Sequence, residues 1–146
     1  MKVELRIDPS LQDITVTVRA PARTEELDAL LARLAAEDGP LPGFRPDGTA
    51  ALLDLNDILR FYGEDKEVRA ETLEGAYTVR LRLYELEARL DRRRFVRISH
   101  SEIVNLRQVT ALDLSLTGTI RMTLTGGAAC YVSRRYVKKI KEALGL

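Results

Sequence analysis

The 146-residue chain has one cysteine, one histidine and no tryptophan. A lone cysteine, Cys130, excludes an intramolecular disulfide framework and a cysteine-rich zinc site. A lone histidine, His100, excludes a multi-histidine metal centre. A reducing cytoplasm is the default compartment for such a chain. No apolar run approaches the ~20 residues of a spanning helix. The start, Met1-Lys2-Val3-Glu4-Leu5-Arg6, alternates charged and apolar residues and lacks the apolar stretch of a signal peptide. No GxGxxG follows a strand pattern and no GxxxxGK[ST] occurs. Thr125-Gly126-Gly127 reads as a hairpin turn, not a phosphate cradle. Ser99-His100-Ser101 sets hydroxyls beside an imidazole in sequence, whereas a nucleophile and its base are paired in space. Glu85 and Glu87, two apart on a helical segment, diverge and make no catalytic pair. The expectation is therefore a protein that is not an enzyme, with no catalytic residues, cofactor, metal or small-molecule substrate.

What is present suffices for a core. Apolar residues make up 45% and charged residues 31%, ordinary values for one globular domain with, at most, a small appendage. The net charge of +1 conceals a split. Up to Asp91 there are 12 Lys and Arg against 19 Asp and Glu, a balance of −7; from Arg92 onward there are 11 against 3, a balance of +8. A local positive field draws polyanions whatever the total. Charge alone leaves open whether the basic half meets a polyanion or is neutralised by the acidic half.

Periodicity supplies the elements. Val3, Leu5 and Ile7, then Ile14, Val16 and Val18, alternate as strands do. Thr24 can cap a helix whose first turn carries Glu25 and Glu26 and whose leucines recur at 27, 30, 31 and 34, one apolar face. Gly39-Pro40-Leu41-Pro42-Gly43 reads as a linker. Residues 1–43 thus form an expected β-β-α unit, a dimerisation or regulatory surface, since so short a piece is seldom stable alone. Short strands are expected at 49–53, 58–62, 67–72, 76–80, 95–98, 109–116, 120–124 and 128–132. Leu83, Leu86 and Leu90 mark a short helix that exits at Asp91-Arg92-Arg93-Arg94. Phe95, Ile103, Val104 and Leu106 read as core, and Asn105 as a turn or capping residue. The fold class is mainly β with short helices.

The last element is a helix beginning after Ser133. Tyr136, Val137, Ile140 and Leu144 share one side; Arg134, Lys138 and Lys141 share the other, flanked by Arg135 and Lys139. Arg134 and Arg135 in the first turn oppose the helix dipole, at ~0.3–1 kcal/mol each. Selection for stability alone would not place them there; an anion outside the protein explains them.

Phe95-Val96-Arg97-Ile98-Ser99-His100-Ser101-Glu102-Ile103-Val104-Asn105-Leu106 resembles the signature of the LytTR family of bacterial DNA-binding domains. Tyr77 to Glu87 resembles that family's short helix with its Leu-x-x-Leu-Glu core, and Tyr131 to Ile140 its C-terminal element. The resemblance covers residues 44–146. It implies an elongated fold of antiparallel sheets in which loops between strands, not a recognition helix, enter successive major grooves of bent double-stranded DNA. Carried over by position, it implies contacts from Lys66 in the hairpin 63–67, from Ser99, His100 and Ser101, and from Arg134 and Arg135. Arg135 stands where the family's base-reading arginine stands, Lys138 is expected at phosphates, and Arg97 and Arg107 at the DNA backbone. A phosphoacceptor receiver domain does not fit in residues 1–43, so the chain resembles the stand-alone regulators, some of which are encoded beside a small membrane-bound protein that inhibits them; the expectation for this chain is a homodimer on a pair of imperfectly repeated DNA sites. The other reading open at this point is a protein-interaction module that joins acidic to basic halves and has no DNA role.

Overall fold

The computed structural model describes residues 1–38 and 40–146, with side-chain surroundings for all of these but 32–38. Helix α1 spans Glu25–Asp38. Strands β1 (Leu41–Phe44), β2 (Ala50–Leu53), β3 (Arg60–Glu64), β4 (Glu67–Thr72) and β5 (Gly75–Val79) precede helix α2 (Leu83–Arg89). Strands β6 (Phe95–Ser99), β7 (Glu102–Asn105), β8 (Val109–Asp113), β9 (Ile120–Leu124) and β10 (Ala129–Val132) lead to helix α3 (Arg134–Leu144). Seven strands form one sheet in the order β2-β1-β5-β4-β3-β7-β6, and three form a second in the order β10-β9-β8. Every pairing is antiparallel. The fold is mostly antiparallel β with three short helices.

Strand alternation divides the apolar residues between two cores. On one face of the large sheet Phe61, Val68, Ala70, Tyr77, Val79 and Ile103 pack beneath Leu86 and Leu90. Leu86 is the inward residue of the leucine stripe on α2, whose first turn is fastened by the Arg82 N–H donating to Glu85 Oε1 at 3.1 Å. The second core joins β6 and β7 to the small sheet through Val96, Ile98, Val104, Met122 and Val132, and is closed by Ile140 of α3. Tyr136, Val137 and Leu144 line the same side of α3, as the sequence predicts. The helix stops at Gly145, which takes φ 71° and lets the Leu146 N–H reach back to Lys141 O at 2.8 Å.

Asn105 is the one buried polar side chain among the described residues. Its Nδ2 donates to Ile58 O at 2.8 Å and to Leu55 O at 3.5 Å, and its Oδ1 accepts from the Arg107 N–H at 3.1 Å. The Asn105 backbone N–H donates to Leu59 O at 3.0 Å. The residue thus caps the single turn Leu106–Gln108 and pins the start of β3 to the end of β7, the capping role expected of it.

Several expectations need correction. Residues 1–24 contain no strand, and the two predicted there are unpaired; only the helical third of the β-β-α unit forms as expected, with Thr24 Oγ1 accepting from the Leu27 N–H at 3.2 Å. Alternation states which residues could share a face, but a strand also needs an edge to pair with, and none is supplied within the chain. Leu41–Gly43 is not a linker but most of β1. Gly43 serves close packing: a Cβ there would lie 2.6 Å from Leu53 Cδ1 and 2.9 Å from Tyr77 Cβ. Pro42 is tolerated because β1 meets β5 only at Phe44↔Thr78. The glycine-proline punctuation that reads as a linker is strand packing here, and of that stretch Gly39 lies outside the described residues. The strand β7 was not foreseen, its residues having read as core without an assigned element.

Replacing Asn105 by alanine leaves the Ile58 carbonyl and the Arg107 N–H without these partners, while Leu55 O keeps the Ile58 N–H; the expected outcome is a loss of about 1–3 kcal/mol, measured by urea unfolding, with the far-ultraviolet spectrum retained.

Candidate nucleic-acid interface

Sheet register gathers the predicted residues at one end. Antiparallel pairing of β3 with β7 sets Tyr62 opposite Glu102, so the β3–β4 turn and the β6–β7 turn leave the sheet side by side. The Gly63 N–H donates to Ser101 O at 2.9 Å and fixes that neighbourhood. The Ser133 N–H donates to Ile98 O at 2.8 Å, which brings the start of α3 to the same end of β6. Lys66, Ser99, His100, Ser101, Arg134 and Arg135, separated by as many as 69 positions in the chain, therefore share one edge of the molecule. Lys138 follows one turn along α3 and is exposed.

The cations at this edge are free. Arg134, Arg135, Lys138 and Lys66 are exposed, and none makes an ion pair among the described residues. Of the 11 cations beyond Asp91, ion pairs among the described residues hold Arg93, to Asp91, and Arg97, to Glu87. Among the described residues the basic half is not neutralised by the acidic one. Nearby carboxylates are instead drawn off. Glu64 and Glu67, on either side of the β3–β4 turn, each lie 3.4 Å from the Arg69 guanidinium. Glu102 turns to Arg60, which also pairs with Glu71. Burial alone would lower the Arg60 guanidinium, but the hydrogen bonds and charges of Glu71 and Glu102 hold it above its ordinary value.

Arg97 takes a different part from the one expected of it. Its side chain is 11% exposed, with Nη1 on Glu87 Oε2 at 2.8 Å and Nε donating to Ser99 O at 2.8 Å. Its Nη2 donates to His100 O. One guanidinium thus ties α2 to the β6–β7 turn and presents little surface to a ligand. Ser99 is also occupied within the turn, its Oγ accepting from the Ser101 N–H at 3.2 Å. What the turn offers outward is the His100 imidazole and the Ser101 hydroxyl, both in exposed residues.

The first turn of α3 contains no acid, and the Ser133 side chain makes no capping bond. Uncapped N–H groups and two arginines at a helix start form an anion-binding arrangement. Arg134 rests on the β8–β9 connection: a Cβ on Gly118 would lie 3.1 Å from its Nε and 3.2 Å from its Nη2. Thr119 Oγ1 donates to Val132 O at 2.6 Å and holds that connection against the end of β10. The sequence does not show the place of Gly118 under Arg134; the glycine itself is the available signal. Nor does the sequence show the part of Glu87, which acts through Arg97.

Two other candidates fall outside this edge. Arg94 O accepts from the Leu106 N–H at the opposite end of β6, so Arg92-Arg93-Arg94 and Arg107 lie away from the turns. Cys130 is buried, and burial, followed by the Glu102 charge, pushes its thiol up to about 11, so it stays protonated at neutral pH. Among the described residues no cluster of His, Cys, Asp or Glu is arranged for a metal ion, and no helix is long and apolar enough to cross a membrane.

Comparison with known proteins agrees with the geometry. The family described as LytTr DNA-binding domain matches residues 49–145. Two Staphylococcus aureus proteins named as HTH-type transcriptional regulators, from strains NCTC 8325 and COL, are each 34% identical over 148 residues, across 100% of this chain and 99% of theirs. That similarity includes the amino-terminal residues that the family match leaves out. A LytTr DNA-binding domain of a methyl-accepting/DNA response regulator from Bacillus cereus superposes with a TM-score of 0.70 at 22% identity, over 73% of this chain and 97% of its own.

The β3–β4 turn carries its own signal. Asp65 and Lys66 take φ 52° and 64°, the pair of positive values that a two-residue hairpin reserves for Asn-Gly. A lysine in that conformation costs about 1–2 kcal/mol, which a role for its ammonium would explain. Lys66→Gly is expected to raise stability by about 0.5–1 kcal/mol in chemical denaturation while eluting earlier from a heparin column; a variant less stable than the parent contradicts the strain.

Proposed function

The chain belongs to the LytTR family of DNA-binding domains, and from that membership we propose that it is a sequence-specific transcriptional regulator reading repeated sites in duplex DNA through its strand-connecting turns. The observation that carries the reading is the convergence of three separate chain segments, at Lys66, His100 and Arg134–Arg135, on one edge whose cations have no internal partner among the described residues. The relatives named as HTH-type regulators support regulation, but the way of reading DNA differs from that name here. Helices α2 and α3 are separated by five strands, so no helix-turn-helix is formed by them.

Each side chain then has a role fitted to its chemistry. Arg135 at the second position of α3 offers a planar fork that bonds guanine O6 and N7. Arg134, Lys138 and Lys66 neutralise phosphates, and the free amide groups at the start of α3 add dipole attraction. His100 and Ser101 reach base edges or sugar from the β6–β7 turn. Arg97 and Ser99 act behind them by holding that turn in shape. Two protomers on a repeated site give the contacts a second time, with residues 1–38 joining them; a truncation that tests this must spare β1, which belongs to the large sheet.

The test is fluorescence anisotropy on DNA from just upstream of the protein's own gene. Neutralising roughly 5 phosphates gives a log–log salt slope near −4 to −5. Arg135→Ala is expected to cost about 1–3 kcal/mol and relax preference at one base pair. Lys138→Ala is expected to weaken all sequences alike and make the slope shallower by about 1. Equal affinity for every duplex, unchanged by Arg135→Ala, would overturn the reading and favour a protein-interaction module.

A further inference from the structure

The strongest unused feature is the amino-terminal segment. Val3, Leu5 and Ile7 are 83%, 85% and 81% exposed, and no strand among the described residues pairs with them. All of the first seven residues follow a strand's two-residue alternation of apolar and charged, and the ion pairs agree with it. Lys2 Nζ lies 3.2 Å and Arg6 Nη2 3.8 Å from the Glu4 carboxylate, so the three charges share one face and leave the apolar residues on the other. An apolar strand face left in water is a surface for another chain.

The charges say which chain. Along this face they run Lys2, Glu4, Arg6, Asp8, alternating in sign. Set antiparallel to a second copy of itself, with Leu5 opposite Leu5, the segment places Lys2 opposite Asp8 and Glu4 opposite Arg6. Each of these pairings occurs twice across the two-fold axis. The same register sets Val3 opposite Ile7. Every cross-strand pair is then either opposite in charge or apolar, the two kinds that stabilise a ladder. Residues 13–19 repeat the property with fewer charges: Asp13 falls opposite Arg19 and Thr15 opposite Thr17 around Val16, and Ile14 and Val16 are 90% and 68% exposed. Folding the two segments on each other instead, with Ile7 opposite Ile14, puts Asp8 against Asp13 and Lys2 against Arg19, like charges at both ends.

We propose that residues 2–8 are a self-complementary dimerisation strand, which pairs antiparallel with the same segment of a second copy about a two-fold axis at Leu5. A two-stranded ribbon alone is marginal in water, and α1, which follows in the chain with Leu31 exposed, brings the apolar cover from both copies. An isologous contact of this kind closes at two chains and does not propagate. It deepens the two-protomer reading of the regulator, whose DNA contacts lie elsewhere in the fold.

Sedimentation equilibrium of the full chain without DNA tests it. The parent is expected to dimerise in the micromolar range. Glu4→Lys, which turns two cross-chain attractions into repulsions at an exposed position, should weaken the dimer by about tenfold or more. Adding Arg6→Glu to that variant should restore it, because the exchanged charges are again opposite. Leu5→Cys should give a covalent dimer on oxidation, and the buried Cys130 leaves the unsubstituted chain uncross-linked under the same conditions. A parent monomeric up to about 100 µM, well above the dissociation constants of specific dimers, overturns the proposal. So does a dimer indifferent to Glu4→Lys. Either failure leaves the Arg135→Ala result on DNA untouched, so the strand and the regulator reading are judged separately.

Discussion

The Arg97 guanidinium sits where the scaffold and the basic edge meet. It bonds a carboxylate on α2 and two carbonyls of the β6–β7 turn. The turn carries His100, and through the Ser101 carbonyl it also holds the neighbouring β3–β4 hairpin. Its shape is therefore set by a cation that a helix on one face of the sheet keeps in place. Such a clamp has to be charged on both sides: a carboxylate orients the guanidinium, and the guanidinium satisfies carbonyls that a tight turn leaves without partners.

Behind that edge the two cores divide the labour. The α2 core stiffens the seven-stranded sheet from which both turns project, and the second core holds α3 so that its first turn meets the end of β6. Neither core supplies a residue to the basic edge. The basic edge in turn opposes stability, at the positive-φ lysine and at the two arginines that begin α3. A local rule broken where a ligand would bind is what a functional surface looks like when it is held up by packing elsewhere.

Much of this was readable from residue order. Period two in Phe95–Ile98 and Ile120–Leu124, the leucine spacing of α2, and the apolar and basic sides of α3 each follow from one local pattern, and each is present. The free cations of α3 were legible because arginines at a helix start oppose its dipole. What escaped depends on contacts between distant segments. Gly43 looks like punctuation until Leu53 and Tyr77 are seen against it. Arg97 looks like a surface cation until Glu87 is known to lie within reach. The amino-terminal alternation was visible, but whether a strand pairs within its own chain depends on a partner edge that local sequence does not describe.

Gly118 lies under the Arg134 guanidinium from a connection that itself faces no base in the proposed mode. A side chain at that position would push against the Arg134 guanidinium and turn it aside like a lever, with Arg135 left where it is. The β8–β9 connection is thus a place where a lineage could retune, from behind, how strongly this edge holds an anion, while every cation on it keeps its identity.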